Sequence, residues 1–134
     1  MVRPGGPVAA AGINRYASIF EHTALAHLDR GSLQQGIAEI PDSGSRDGKK
    51  GFTEAHCHTG PELDAEMCEA GFTETQVHGV EGPAWALLKA TERHTGDSVV
   101  GSRSFASAPA AARTAEPYPD LLAASSHLLA VGRE

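Results

Sequence analysis

The sequence predicts an α/β fold in which short buried strands alternate with helices. A continuous apolar run at residues 8–13, VAAAGI, lies between turn residues and an asparagine, as a buried strand would. A helix with an N-terminal capping box, at residues 59–71, leads directly into a second strand-like segment at residues 73–80. Because strands and helices alternate along the chain, we expect helices packed on a sheet.

The first part of the chain predicts one strand and two helices. The strand at 8–13 is apolar on both sides, so we expect both of its faces to be covered. Asn14 offers an N-cap for a helix over 15–28, and a shorter helix over 33–40 would stop at Pro41. Residues 41–51 are rich in Gly, Ser, Asp and Lys and predict a polar loop.

The helix at 59–71 has the clearest signals in the chain. Thr59 and Glu62 form a T-x-x-E capping box, and Gly71 is placed to end the helix in a left-handed conformation. Phe72 would then make the hydrophobic contact of the C-terminal cap. The apolar residues at helical spacing predict one buried stripe, formed by Leu63, Met67 and Ala70.

The last part of the chain predicts two further strands separated by helices. Residues 73–80 form a strand, and Pro83 lies in the first turn of a helix over 84–93. Residues 95–114 are rich in Ser, Gly and Ala and show no decisive pattern. A short helix at 121–125 precedes a final buried strand at 127–132, so the chain has three predicted strands in all.

Composition excludes several classes of protein. The 134 residues suit one domain, and the net charge of −6 with no basic run longer than Lys49-Lys50 argues against a nucleic-acid surface. No apolar run approaches the ~20 residues of a membrane span, and the short N-terminal run after Pro-Gly-Gly is not typical of a signal peptide. Two cysteines without a secretory signal predict free thiols and a cytoplasmic location.

The segment His56-Cys57-His58, with Cys68 further on, resembles a set of metal ligands. In an extended segment His56 and His58 point one way and Cys57 the other, so the three do not converge on one ion. Cys68 lies at the edge of the predicted buried stripe, where it would act as a small hydrophobe. We therefore expect no metal site. A Cys57–histidine nucleophile is also not indicated, because adjacency in sequence does not create the required hydrogen bond.

Two charged residues follow predicted strands and are candidates for ligand contacts. Glu81 comes directly after the strand at 73–80, and Arg15 follows the strand at 8–13. Ligands of open α/β sheets bind where loops meet at the sheet edge. The alternatives are structural: Glu81 as a helix N-terminal carboxylate, and Arg15 as a surface residue beside a packed Tyr16.

Four segments in order resemble class I S-adenosylmethionine-dependent methyltransferases, in particular a bacterial subgroup. VRPGGPVAAAGINRYAS is similar to the turn and fifth strand of that family, and FTEAHCHTGPELDAEMCEAGF to the helix before the sixth strand. VHGVEGPAW is similar to the sixth strand, and SSHLLAVGRE to the last. The glycine-rich turn and the acidic residue with which the family holds its cofactor have no counterpart in this sequence.

The resemblance implies a partial Rossmann-like sheet of three strands with flanking helices. The last two strands would be antiparallel, with the final strand inserted between the fifth and the sixth. Residues 1–134 would be a single partial domain, the C-terminal part of a methyltransferase, without the half that binds the cofactor. The outer edge of the fifth strand would be bare, which favours self-association.

The function implied by the resemblance is methyl transfer from S-adenosylmethionine to an unidentified small-molecule acceptor, with no metal. His58 would be the base, and the isolated chain would be inactive because the cofactor half is absent. The alternative is a non-catalytic α/β fragment or interaction module that needs a partner to fold. The positions that match the acceptor-facing lip of the family are Asn14, Arg15, Tyr16, His56, Glu81 and Trp85.

Overall fold

A computed structural model describes residues 4–46, 48 and 53–134 of the chain. The strands in this part are β1 (Pro7–Asn14), β2 (Ser45–Arg46), β3 (Ala55–His58), β4 (Thr73–Gly79) and β5 (His127–Arg133). The helices are α1 (Ala17–Ala24), α2 (Gly31–Ser43), α3 (Gly60–Glu69), α4 (Ala84–Thr95), α5 (Arg103–Ala115) and a 3₁₀ helix (Pro119–Ala124). The strands form one open mixed sheet in the order β2-β3-β1-β5-β4, which confirms the α/β class.

The last strand, β5, lies between β1 and β4 and is antiparallel to both. It pairs with β1 in unbroken register from Pro7–Arg133 to Ile13–His127, and with β4 from Gln76–Val131 to Gly79–Leu128. A bulge between Thr73 and Gln76 offsets the start of β4. Since β1 and β4 both oppose β5, they run parallel to each other. The insertion of the last strand that was expected from the sequence is therefore present.

The prediction of three strands is wrong, because the sheet also contains β2 and β3. β3 pairs in parallel with β1 through Ile13–Cys57 and Asn14–His58, and β2 pairs antiparallel with β3. Both strands are short and polar, so neither carries the apolar alternation by which a strand is recognised in sequence. Between residues 7 and 12, no strand in the described part of the chain pairs with the β3-facing side of β1.

β1 is covered on one face only, so the expectation of two covered faces is wrong. Val8 and Ala10 pack against the core, whereas Ala9 and Ala11 are exposed. An alanine side chain exposes little apolar area, so a solvent-facing row of alanines costs little free energy. An apolar run of small residues therefore predicts a strand without predicting that both faces are buried.

The first two helices differ from their predicted limits. Helix α1 begins after Asn14, which belongs to β1 and does not cap it, and it ends at Ala24 rather than at residue 28. Ala26 has a φ of 53°, which a right-handed helix cannot accommodate. Helix α2 continues through Pro41 and ends at Ser43, with Gly44 as its C-terminal capping residue at a φ of 67°. Pro41 lies in the last turn, so its missing N–H removes only a bond near the helix end.

The predicted polar loop at 41–51 therefore contains the end of α2 and the strand β2. Residues 47 and 49–52, which include the Lys49-Lys50 pair, lie outside the described part of the chain. The same holds for residues 1–3, which begin the first of the family-like segments.

The capping of α3 is confirmed at both ends. The Thr59 backbone N–H donates to Glu62 Oε2 over 2.8 Å, and the Glu62 N–H donates to Thr59 Oγ1 over 3.4 Å. Gly71 has a φ of 92°, and the Phe72 N–H donates to the Met67 carbonyl over 3.1 Å, which is the bond of a Schellman cap. The helix therefore begins and ends where the sequence indicates.

The buried stripe of α3 is shorter than predicted. Leu63 and Met67 are buried in the core with Leu128 of β5. Ala70 is the C-terminal capping residue and is exposed. Cys68 is also exposed, against the prediction of a buried thiol, and its Sγ lies 3.4 Å from the Thr75 hydroxyl.

The segment without a decisive pattern, 95–114, forms most of α5. The Ser102 hydroxyl accepts a hydrogen bond from the Phe105 N–H over 3.1 Å and caps the helix. Pro83 is the N-terminal capping residue of α4 rather than a residue of its first turn. Gly82, with a φ of 64°, allows the Ala112 backbone of α5 to lie where a side chain at position 82 would be. This close approach brings α5 against the turn between β4 and α4.

We predict that Thr59→Ala lowers the free energy of unfolding by about 1 kcal/mol, because the Glu62 N–H at the start of α3 loses its acceptor. Chemical denaturation measures this change. Thr91→Ala is the matched control, since the Thr91 hydroxyl bonds only to the Leu87 carbonyl within α4. Alanine is the better helix former there, so the control should be as stable as the parent or slightly more stable. An equal loss in both variants would contradict the capping argument.

Candidate functional site

The residues predicted to contact a ligand lie at one edge of the sheet. β1, β3 and β4 are parallel, so their carboxyl ends meet at the edge where β5 begins. The segments at this edge are residues 14–16, 56–59, 80–85 and 125–127. In open α/β sheets this is the edge at which ligands bind, and it is the natural place to look for a site.

Asn14 is an internal anchor of this edge. Its side chain is buried and donates from Nδ2 to the carbonyls of Leu122, over 2.9 Å, and Ser125, over 2.7 Å. Its Oδ1 accepts a hydrogen bond from the Tyr16 N–H over 3.1 Å. These bonds use both amide hydrogens and tie the end of β1 to the segment before β5.

Arg15 is held by the end of β3 and the start of α3. Its backbone N–H donates to the His58 carbonyl, its Nε donates to the Cys57 carbonyl over 3.1 Å, and its guanidinium lies 2.7 Å from Glu62. Only 11% of the side chain is exposed, so Arg15 is not the surface residue of the structural alternative. The Thr59 backbone bond, followed by the Thr59 hydroxyl and Arg15, holds the pKa of Glu62 below its usual value against partial burial.

Glu81, the two residues before β5 and the first residue of β5 form a polar cluster, which we call the Glu81–His127 cluster. It consists of Glu81, Ser125, Ser126 and His127. Glu81 Oε2 accepts hydrogen bonds from the Ser125 hydroxyl, over 2.9 Å, and from the backbone N–H groups of Ser126 and His127. Its Oε1 lies 2.5 Å from His127 Nδ1. Ser125 is fully buried, and its hydroxyl oxygen also accepts from the N–H groups of Glu81 and Gly82.

The Glu81–His127 cluster lowers the pKa of Glu81. Burial by itself raises the pKa of this carboxyl, but the hydrogen bonds from His127 and Ser125 outweigh burial and leave the pKa below its usual value. Glu81 is therefore a carboxylate with one oxygen that already accepts three hydrogen bonds from the protein. Glu81 therefore binds backbone N–H groups of a distant segment, Ser126 and His127. The structural alternative was that it interacts with the N-terminus of the helix that follows it.

Two separate cavities open near this edge. The first, of about 890 Å³, is lined by Asn14, Tyr16, Asp64, Asp120 and the apolar Leu122, among others. We call it the α3 cleft. The second, of about 620 Å³, lies between α4 and α5. Its lining includes Glu81 and mostly apolar side chains such as Val80, Trp85, Leu88, Val99 and Phe105.

The predicted site residues are therefore divided between these cavities. Asn14 and Tyr16 line the α3 cleft, whereas Glu81 and Trp85 line the cavity between α4 and α5. The Trp85 indole N–H donates to the Ala124 carbonyl over 2.6 Å, so this ring is fixed to the 3₁₀ helix. Arg15, His56 and His58 line neither cavity.

His56 and His58 lie together on one side of β3, as the strand geometry predicts. Their rings make an edge-to-face contact with centroids 4.7 Å apart, while Cys57 points to the other side and is buried. Burial raises the pKa of the Cys57 thiol, and the positive charges of Arg46 and Arg15 offset this rise only in part. A thiol in these surroundings is not an activated nucleophile.

Glu66 is the residue of this group that the sequence did not reveal. Its Oε2 lies 3.2 Å from His58 Nε2, and the ligand atoms of His56, His58 and Glu66 all lie within 4.8 Å of one another. In the described part of the chain this is the one group of three or more such residues arranged in this way. The available signal was the position of Glu66, one turn after the capping residue Glu62 on the same helix.

The chain matches no protein-family model, and none of the curated proteins matches it in sequence. No helix in the described part of the chain is both long and apolar enough to cross a membrane.

We predict that Glu81→Gln lowers the free energy of unfolding by about 1 to 3 kcal/mol at neutral pH, because an amide NH₂ replaces an oxygen that accepts hydrogen bonds. The folded-state pKa of Glu81 is lowered, so its carboxylate adds stability above the unfolded pKa of about 4.3. That stability is lost as the pH falls through the folded pKa. Denaturation curves at a series of pH values should therefore show the parent approaching the variant in acid.

Glu116→Gln is the matched control for this prediction, because Glu116 pairs with His78 over 2.8 Å with half of its side chain exposed. An exposed pair contributes less than about 1 kcal/mol, so the control should change little. A stability gap between parent and Glu81→Gln that stays constant into strong acid would contradict the role given to the carboxylate.

Proposed function

We propose that this chain is the acceptor-binding, C-terminal part of a class I S-adenosylmethionine-dependent methyltransferase. The observation that carries the proposal is the strand order β1-β5-β4 with the last strand inserted antiparallel to both neighbours. The resemblance implies the same order for the family, in which the last strand lies between the fifth and the sixth. The four family-like segments supply the two parallel strands, the helix before the second of them and the inserted strand.

The acceptor in this proposal is a small molecule bound in the α3 cleft. A volume of about 890 Å³ lies within the range of roughly 300–1,000 Å³ that is typical of small-molecule sites. Tyr16, Asp64 and Asp120 bring polar groups to an otherwise largely apolar lining, which suits the orientation of a polar acceptor. Asn14 holds Leu122, which also lines the cleft, in place through its hydrogen bonds to the Leu122 and Ser125 carbonyls.

The residues of this chain do not fit S-adenosylmethionine itself. Among the described residues, the turn after β1 is Asn14-Arg15-Tyr16, with no glycine to let a backbone approach a ligand. The side chains of Asn14 and Arg15 are bonded within the protein. Glu81, the carboxylate that follows β4, already accepts three hydrogen bonds at one oxygen from the Glu81–His127 cluster. The proposal therefore assigns cofactor binding to polypeptide other than these residues, and it gives this chain the positioning of the acceptor.

His58, the base suggested by the sequence, does not line the α3 cleft and pairs with Glu66. The proposal therefore gives His58 no role in proton transfer. The alternative of a non-catalytic module is not favoured by a particular contact of the structure, and it becomes the conclusion if the following test fails.

We predict that the isolated chain does not bind S-adenosylmethionine in calorimetry, whereas the reading frame extended upstream of the Met1 codon yields a protein that does. The extended protein should transfer labelled methyl groups from S-adenosylmethionine to a small-molecule fraction. The proposal is contradicted if neither the upstream frame nor an adjacent gene encodes a glycine-rich strand–turn–helix segment. It is also contradicted if the extended protein fails to bind the cofactor. Micromolar binding of S-adenosylmethionine by the isolated chain would contradict the assignment of cofactor binding to other polypeptide.

Within the extended protein, Asp64→Asn and Asp120→Asn should each lower methyl incorporation by about tenfold or more. Loss of a charged hydrogen bond to a bound acceptor is worth roughly 1.5–3 kcal/mol, which corresponds to that factor. Asp97→Asn is the matched control, since Asp97 is exposed after α4 and does not line the cleft. Equal losses in all three variants would remove the cleft from the proposal.

A further inference from the structure

The cluster of His56, His58 and Glu66 is the one arrangement of metal-ligating side chains that the described part of the chain contains. The two histidines are two residues apart on β3, so their side chains share one side of the strand. Glu66 faces them from α3. The three groups come from two consecutive elements joined by Thr59. β3 is held by its pairing with β1, and α3 by its capping box and by the packing of Leu63 and Met67 in the core.

The distances within the cluster suit a bound ion. For metal–ligand distances of about 2.0–2.2 Å, two ligands of a tetrahedral site lie about 3.4 Å apart. His58 Nε2 and Glu66 Oε2 already lie 3.2 Å apart. The ligand atom of His56 lies within 4.8 Å of both. His56 is exposed, so a rotation of its ring can shorten the remaining separation.

The orientation of His58 leaves one ring nitrogen for a ligand. Its Nδ1 is buried without a hydrogen-bond partner and faces Gly12, where a side chain would approach it to 3.1 Å. Only Nε2 points toward Glu66 and the solvent-accessible side of the cluster. The absence of a side chain at Gly12 is what lets the ring lie in this position.

Glu66 brings an acidic ligand to the cluster. The guanidinium of Arg15 on the adjoining segment is paired with Glu62, one turn before Glu66. Glu66 itself pairs with His58. Two imidazoles and one carboxylate form a ligand set that suits a divalent transition-metal ion.

We propose that His56, His58 and Glu66 bind a divalent transition-metal ion, with Zn²⁺ the best fit, and leave a fourth coordination position open to solvent. Imidazole nitrogens favour Zn²⁺ and its first-row neighbours over Mg²⁺ and Ca²⁺, which prefer oxygen ligands. Three protein ligands with an open fourth position are typical of zinc sites that accept a water or a substrate. The proposal reverses the expectation from sequence, which weighed the two cysteines as ligands and did not include Glu66.

The test is a calorimetric titration of the chelator-stripped chain with Zn²⁺, and with Co²⁺ as a spectroscopic probe. We expect one ion per chain, the visible absorption of tetrahedrally coordinated Co²⁺, and no binding of Mg²⁺ at the same concentration. Removing a residue that only supports a metal ligand typically weakens metal binding by about 10- to 100-fold. His56→Ala and Glu66→Gln remove ligands themselves, so each should weaken Zn²⁺ binding by more than that. Both residues are exposed, and circular dichroism verifies that each variant is folded.

Two control variants separate this site from incidental binding by the other histidines. His27→Ala removes a histidine of the His22–His27 pair, whose Nδ1 atoms lie 3.4 Å apart, and Glu116→Gln removes the carboxylate beside His78. Both controls should bind Zn²⁺ like the parent. The proposal is overturned by the absence of stoichiometric Zn²⁺ binding, by unchanged affinity in His56→Ala and Glu66→Gln, or by an equal loss of affinity in the controls.

Discussion

The pairing of β5 with β1 and β4 is the interaction on which the rest of the structure depends. β5 forms ladders along both of its edges, and it supplies the most deeply buried side chains of the core, Leu128 and Ala130. Without β5, β1 and β4 would have no common partner, and Leu63 and Met67 of α3 would lose the buried residues against which they pack. Because side chains alternate along a strand, a shift of one residue in either ladder would turn Leu128 and Ala130 toward solvent.

At the start of β5, polar groups hold the register in addition to the burial of Leu128. Asn14 binds the carbonyls of Leu122 and Ser125, while Glu81 binds the donors of Ser125, Ser126 and His127. The short segment before β5 is therefore fastened to the ends of both neighbouring strands. A core rich in alanine and poor in aromatic residues gives limited packing energy, so buried hydrogen bonds with good geometry matter more in fixing one arrangement.

This use of polar side chains separates two kinds of residue at the sheet edge. Asn14, Glu81 and Trp85 meet the positional expectation for ligand contacts, yet their polar atoms are bonded within the protein. Tyr16, Asp64 and Asp120 line the α3 cleft, and His56, His58 and Glu66 form the cluster beside it. Position after a strand therefore locates the edge of interest but does not identify which side chains remain available for a ligand.

Sequence patterns were reliable where the signal is local. The capping box of Thr59 and Glu62, the left-handed Gly71 and the final strand depend on neighbouring residues, and each is present in the structure. The patterns failed where distant groups decide the outcome. Asn14 serves the segment before β5 instead of capping α1, and β3 exists because β1 and Gly44 offer backbone partners to a short polar segment.

The sequence by itself determined the α/β class, the helix α3 with both of its caps, the position of β5 and the opposite directions of Cys57 and its flanking histidines. Each of these follows from the repeat of 2 or 3.6 residues or from a turn of a few residues. Only the tertiary structure decided that Glu66 faces His58, that Glu81 accepts hydrogen bonds from Ser125, Ser126 and His127, and that the predicted site divides between two cavities. No periodicity in sequence records which faces of two elements meet, even for β3 and α3, which are joined by Thr59 alone.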